Sequence, residues 1–295
     1  MKPARFEYTR PTSLADALIL LRDHRDGAAI LSGGQSLVPM LNLRVASPQI
    51  VIDINSIPEL DGIGIHGSSL EIGARSRHND VLRSELVQQY APLLSMALQN
   101  VAHEAIRNRG TLGGSLALAD PAAEMPACMV CLGAEIILHS AGGSRSVAAA
   151  DFFQGIYDTA LELDELITSI RIPLFSVGWR FAFHEIARRH GDFALAGLAF
   201  GRRCSGKIVQ DCRAVFLGVE AFPRRLTEIE QAFIGTNLND RSGIEKAVQL
   251  LATNLECLEG GEYPTEYRFY LAQQLLSLCA GEALDENRLD ENRYE

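Results

Sequence analysis

The sequence predicts a mixed α+β protein, and three observations carry that prediction. Short apolar strand-like runs alternate with an amphipathic segment through the first sixty residues, glycine-rich turns join closely spaced strands in the middle, and three long strand-like runs followed by helical periodicity occupy the last third. A chain of 295 residues can bury a sizeable core, and its 47% apolar and 22% charged residues are ordinary for a globular protein. The expected boundaries are 1–56, 57–176 and 177–284, with a polar segment over 285–295.

The first module reads as a βαβ unit. Ser13 is placed to cap a helix whose Leu14, Ala17, Leu18 and Leu21 share one face, with Asp16 in its first turn. A strand over Ala28–Leu31, an apolar run from Leu37 to Leu43 and a strand over Ile50–Ile54 follow, closed by Ile57-Pro58-Glu59-Leu60. In the middle module, strands at Leu70–Ala74 and Ala134–Leu138 flank helical stretches near 78–89 and 91–103. Glycines from Gly62 to Gly67 and at Gly142-Gly143 predict hairpins in place of long crossovers. Pro173 to Gly178 marks a boundary. Beyond it come strands at Trp179–Ile186, Ala194–Arg203 and Ile208–Leu217, then helices near 226–234, 240–252 and 264–280. The near-repeat from Asp285 to Arg293 reads as a solvated tail.

Several function classes are set aside by composition. A formal net charge of −10 argues against nucleic-acid and anionic-membrane surfaces. The first residues hold no apolar core of the secretory kind, and no run approaches the roughly 20 apolar residues of a membrane span. A cytoplasmic protein with no membrane span is therefore expected. The six cysteines show no disulfide framework, and Cys128-Met129-Val130-Cys131 lies in an apolar helical stretch, so buried core thiols are expected there. No G-x-G-x-x-G opens a helix after the first strand, and no Walker loop is present. His184 and His190 imitate a zincin motif, but they stand six apart instead of four and the segment reads as strand. No metal-binding residue is expected.

The chemistry is concentrated in two diglycine loops, Leu31-Ser32-Gly33-Gly34-Gln35-Ser36-Leu37 and Gly110-Thr111-Leu112-Gly113-Gly114-Ser115-Leu116. Glycine admits a close ligand, consecutive N–H groups can form an anion nest, and small hydroxyls add donors without bulk. One such loop alone reads as a tight turn. Two of them point to a clamp on a dinucleotide pyrophosphate. Beside the second stands Ala119-Asp120-Pro121-Ala122-Ala123-Glu124, where Asp120 reads equally as a helix cap and as an acceptor for ligand hydroxyl or amide groups.

At these residues the chain resembles the FAD-binding medium subunit of the molybdenum-containing hydroxylases, relatives of xanthine dehydrogenase and of aerobic carbon monoxide dehydrogenase. The pieces that carry the resemblance are Ser32–Leu37, Ile52-Asp53-Ile54-Asn55, Ile106–Ser115 and Ala119–Glu124, with Ile170–Pro173 and Gly191–Ala196 following in order. The resemblance implies a two-lobed FAD-binding domain of the vanillyl-alcohol-oxidase/p-cresol-methylhydroxylase type, then a C-terminal domain of a three-stranded antiparallel sheet and a helical bundle. It carries cofactor binding onto Ser32, Gly33, Gly34, Gln35, Ser36 and Leu37, and onto Thr111, Leu112, Gly113, Gly114 and Ser115. Glu124 closes the acidic stretch that touches the cofactor in relatives, Asp120 is a further cofactor-binding position, and Ile167, His184 and Phe193 align with flavin neighbours. The sequence departs from the family in three places: His184 for a lysine of some relatives, Ser115 for a frequent asparagine, and Glu124 for a frequent aspartate. It lacks the cysteine-rich insertion that holds an extra 4Fe–4S cluster in one branch.

The implied role is an electron-transfer subunit with non-covalent FAD. The molybdenum cofactor would reside on a large partner subunit and 2Fe–2S clusters on a small one, in a dimer of heterotrimers. No residue of this chain is expected to be catalytic as acid, base or nucleophile. Two competing readings are a self-contained flavin oxidase or reductase and a dinucleotide-binding scaffold without flavin. The hydroxylated substrate and the terminal electron acceptor are not encoded in these motifs.

Overall fold

The computed structural model describes residues 2–237, 241–260 and 263–282, which form two compact units; the polar segment expected over 285–295 lies outside the described residues. Unit one comprises residues up to Ala91, Ala102–Asp120 and Leu132–Leu174, and unit two comprises Pro92–Val101, Pro121–Cys131 and Phe175 onward.

Unit one opens with a parallel sheet of β1 (Glu7–Thr9), β2 (Ala28–Leu31) and β3 (Ile50–Asp53), in the order β1-β3-β2. The central β3 is buried along its whole length, which explains its unbroken Ile-Val-Ile run. The helix Leu14–His24 starts as the sequence predicts, with Ser13 Oγ accepting from Asp16 N at 3.2 Å. Its Ala17, Leu18 and Leu21 pack with Ile50, Ile52, Ile54, Ile57 and Leu60 into one cluster. The apolar run after the first diglycine loop is a short helix, Leu37–Leu43.

The same unit holds a five-stranded antiparallel sheet. It comprises β4 (Ile63–His66), β5 (Ser69–Gly73), β6 (Glu135–Ser140), β7 (Gly143–Ala148) and β10 (Leu166–Pro173), in the order β4-β5-β10-β6-β7. The predicted hairpins are present: His66 pairs with Ser69 across Gly67, and Ser140 pairs with Gly143. Strands β8 (Phe153–Gly155) and β9 (Asp158–Thr159) form a separate ribbon.

The predicted helices of this region are shorter than the sequence pattern implies, and capping explains why. The stretch near 78–89 is two helices, His78–Arg83 and Glu85–Tyr90, because Ser84 leaves helical geometry and its Oγ accepts from Val87 N. The stretch near 91–103 stops at Leu98, where Asn100 folds back with its N on Ala97 O and its Nδ2 on Met96 O. The helix expected to begin at Pro121 begins at Glu124 instead, so Asp120 does not stand at a helix cap. A turn at Pro121 and Ala122 intervenes.

Unit two is built on an antiparallel sheet of β11 (Trp179–Ile186), β12 (Ala196–Ser205) and β13 (Ile208–Leu217). Helices Thr227–Phe233, Ser242–Asn254 and Thr265–Glu282 cover one face. Their Ile229, Leu251, Leu271, Leu275 and Leu276 join Leu226 in one buried cluster with Leu198, Phe200 and Phe216 of the sheet. Phe200 and Phe233 meet edge to face at 5.6 Å between ring centroids. The helix Glu124–Leu132 carries Cys128 and Cys131 fully buried, as expected for core thiols. Burial holds both in the thiol form, pushing Cys131 up to about 12. No helix among the described residues is long and apolar enough to cross a membrane.

Candidate functional site

The first diglycine loop leaves the end of β2 and enters the helix Leu37–Leu43. Gly34 sits at φ +71°, a conformation that favours glycine, and Gln35 folds back so that its Nε2 donates to Gly33 O at 3.0 Å. The backbone N–H groups of Gly33, Gly34, Gln35, Ser36 and Leu37 have no hydrogen-bond partner among the described residues. Ser36 makes no capping bond with its hydroxyl, and the side chain of Leu37 is half-buried. Five successive donors are therefore unpaired, with Gly33 buried and the other four residues half-buried.

The second loop is made differently. Thr111 caps the helix Leu112–Leu118, its Oγ1 accepting from Gly114 N at 3.2 Å. Leu112 N donates to Ser76 O, Gly113 N to Ala74 O and Ser115 N to Thr111 O, so most donors of this loop are already spent. Leu112 is fully buried, and a Cβ on Gly113 would lie 2.6 Å from Ala74 Cβ. These two residues pack the loop onto its neighbours, while Gly114 is exposed and Ser115 half-exposed.

The structure brings the two loops into contact. Ser32 Oγ and Thr111 Oγ1 share a hydrogen bond of 3.0 Å. A Cβ on Gly33 would stand 2.5 Å from Arg109 O and 2.9 Å from Gly110 Cα, so this glycine is required by the neighbouring backbone.

Residues outside the predicted set hold this arrangement. Asn55 Nδ2 donates to Ser32 O at 2.9 Å and to Asp53 Oδ1 at 2.6 Å. Asp53 also accepts from Tyr8 Oη at 2.6 Å and faces Arg10 at 3.7 Å. Burial alone would raise the Asp53 carboxyl, but the hydrogen bonds from Tyr8 and Asn55 and the charge of Arg10 outweigh it and hold it below the usual carboxylate range. Arg77 reaches Asn55 Oδ1 at 2.5 Å and also donates to Arg109 O. The Asp53-Ile54-Asn55 motif is visible in the sequence beside β3; nothing local marks Arg77.

The remaining predicted residues are distributed as follows. In unit one, Asp120 accepts from Tyr157 Oη at 3.1 Å, and Ile167 is 3% exposed in β10, just before an irregularity in its pairing with β6. In unit two, Glu124 is buried at the start of its helix, and His184 is half-buried in β11 opposite Leu198. Phe193 is 74% exposed in the connection between β11 and β12. Next to His184, burial pushes the Glu185 carboxyl up to about 7, and its Oε2 has no partner among the described residues. No cluster of metal-ligating side chains occurs among the described residues.

Comparison with known proteins identifies the family. Residues 4–175 match the model of the FAD binding domain in molybdopterin dehydrogenase, and residues 181–283 match that of the CO dehydrogenase flavoprotein C-terminal domain. The chain belongs to the FAD-binding medium subunits of the molybdenum hydroxylase family. Caffeine dehydrogenase subunit beta of a Pseudomonas species is 40% identical over 289 residues, covering 97% of each chain. The carbon monoxide dehydrogenase medium chain of Afipia carboxidovorans is 36% identical over 276 residues, covering 94% of this chain and 96% of that one. A solved carbon monoxide dehydrogenase structure from Hydrogenophaga pseudoflava superposes with a TM-score of 0.92 at 37% identity, covering 96% of this chain and 99% of that one. The α+β class read from the sequence, an FAD-binding domain followed by a C-terminal flavoprotein domain, is that of this medium subunit.

The unpaired donors of the first loop are of the kind that bind a diphosphate. Open backbone donors at Gly33–Leu37 suit phosphate oxygens, and the exposed Arg109 guanidinium has no ion-pair partner among the described residues.

Proposed function

We propose that this chain is the electron-transfer subunit of a heteromeric molybdenum-dependent hydroxylase, receiving electrons from 2Fe–2S clusters of a small subunit and delivering them to an external acceptor. The observation that carries this reading is the run of open N–H groups from Gly33 to Leu37, braced against the second diglycine loop. Bound FAD supplies chemistry that protein side chains lack, the exchange of electrons one or two at a time.

The protein's own part is to bind and to orient. Gly33, Gly34, Gln35, Ser36 and Leu37 offer backbone donors to the diphosphate, while Ser32 and Thr111 lock the loops together. Gly114 and Ser115 present the exposed side of the second loop, with Leu112 and Gly113 packing beneath. Asp120, Glu124, Ile167, His184 and Phe193 are proposed flavin neighbours on the strength of the family motifs. No side chain of this subunit is assigned a proton transfer or a bond to substrate. The substrate is handled on a large subunit that carries the molybdenum cofactor, and the assembly is a dimer of heterotrimers in the cytoplasm.

Purification from the native host tests this reading. The chain should travel with one larger and one smaller partner containing molybdenum and iron, and should release FAD on denaturation. A yellow monomer that oxidises a substrate without partners would replace it with the self-contained oxidase.

A further inference from the structure

We propose that Arg77 fixes the two diglycine loops against each other and, with Arg109, supplies the positive charge that the cofactor's diphosphate neutralises. This rests on the FAD-binding reading above and adds two residues that the glycine motifs do not contain.

The geometry is a closed circuit within unit one. Arg77 donates one guanidinium N–H to Arg109 O, the same carbonyl that lies against Gly33, and another to Asn55 Oδ1 at 2.5 Å. Asn55 in turn donates through Nδ2 to Ser32 O at 2.9 Å. One planar fork thus connects the backbone on both sides of the loop contact. A lysine ammonium on its flexible stem does not reproduce two such bonds in fixed directions.

The charge environment points the same way. Arg75 is paired with Asp61 at 2.6 Å, whereas the Arg109 guanidinium has no ion-pair or hydrogen-bond partner among the described residues. Partial burial, with the like charges of Arg75 and Arg109, pulls the Arg77 pKa below its ordinary value and outweighs the opposing charges of Asp61 and Asp80. Arg77 is bonded to the carbonyl that lies against Gly33 and feels the charge of Arg109, so positive charge adjoins the row of unpaired backbone donors in a chain whose formal net charge is −10. An anion bound there relieves the repulsion, and the dinucleotide diphosphate is the anion that this family's cofactor brings.

The test is titration of the full-length apoprotein with FAD and, separately, with riboflavin, which has the ring but no phosphate. Each is repeated over a series of salt concentrations, with thermal melting of every variant. Arg77→Lys keeps the charge and loses the fork; it should weaken FAD about tenfold and keep the wild-type salt dependence. Arg109→Gln removes a side chain that holds nothing in place; it should weaken FAD about threefold and flatten the salt dependence. Riboflavin affinity should stay near wild type in both. The melting temperature should stay near wild type in Arg109→Gln and fall by a few degrees in Arg77→Lys, which strands Asn55 Oδ1 and Arg109 O. FAD affinities within about twofold of wild type in both variants would overturn the proposal. Equal losses of FAD and riboflavin would overturn it too, because the effect would then not involve the diphosphate. Failure of the wild-type chain to bind FAD would instead remove the reading on which the proposal rests.

Discussion

Gly33 and Gly113 are held to glycine by neighbouring backbone, Gly114 by a single side chain. A Cβ at Gly33 or Gly113 meets neighbouring backbone at 2.5 Å and 2.8 Å respectively, whereas at Gly114 it meets only the Thr111 hydroxyl at 2.7 Å. Gly33→Ala and Gly113→Ala should therefore each cost about 1–3 kcal/mol of stability, measured as a lowered denaturant midpoint. Two carboxyls give opposite pH signatures. Asp53 has a lowered pKa in the folded chain, so its stabilisation is present above the ordinary carboxylate pKa and is lost as pH falls through the folded value. Asp53→Asn should flatten the acid limb of a melting-temperature profile; an unchanged limb would contradict this. Glu185 is raised to about 7, so the folded state binds the proton more tightly and stability falls as pH rises from the ordinary glutamate range towards 7. Glu185→Gln should therefore raise the melting temperature more at pH 8 than at pH 5, and an equal gain at both would refute it.

At the level of elements, long strands are legible in the sequence and interruptions are not. Trp179–Ile186 and Ile208–Leu217 match the sequence pattern end to end, because sustained β-branched and aromatic runs have few alternatives. The helical stretches near 78–89 and 91–103 read as continuous because their apolar spacing is continuous. Single side chains break them, Ser84 by capping and Asn100 by folding back on Met96 and Ala97. Asp120-Pro121 misleads in the same way, since the helix starts only at Glu124. The glycine doublets reveal the loops, but not the clasp between them. Arg77 lies 22 residues from Asn55 and 32 from Arg109, distances at which no local pattern operates. One element joint offers a direct check. Glu230, at the buried face of Thr227–Phe233, accepts from Ala214 N at 3.0 Å and from Arg225 at 2.5 Å. Glu230→Ala should cost about 3 kcal/mol in chemical denaturation by stranding both donors. Arg171→Ala, which breaks an exposed pair with Glu71, should cost less than about 1 kcal/mol.

For the molecule as a whole, the family relationship extends over nearly the full chain, from residue 4 to residue 283. Relatives of similar closeness are named for caffeine and for carbon monoxide, so likeness across this chain does not fix a substrate. The central claim is that the diglycine loops hold FAD. Its most direct test is the FAD content of the native complex assembled with Gly114→Val, where the added side chain displaces the Thr111 hydroxyl, 2.7 Å from its Cβ, and meets no neighbouring backbone. The complex should assemble with its molybdenum and iron and yield little or no FAD on denaturation. A full complement of FAD in that complex would contradict the assignment.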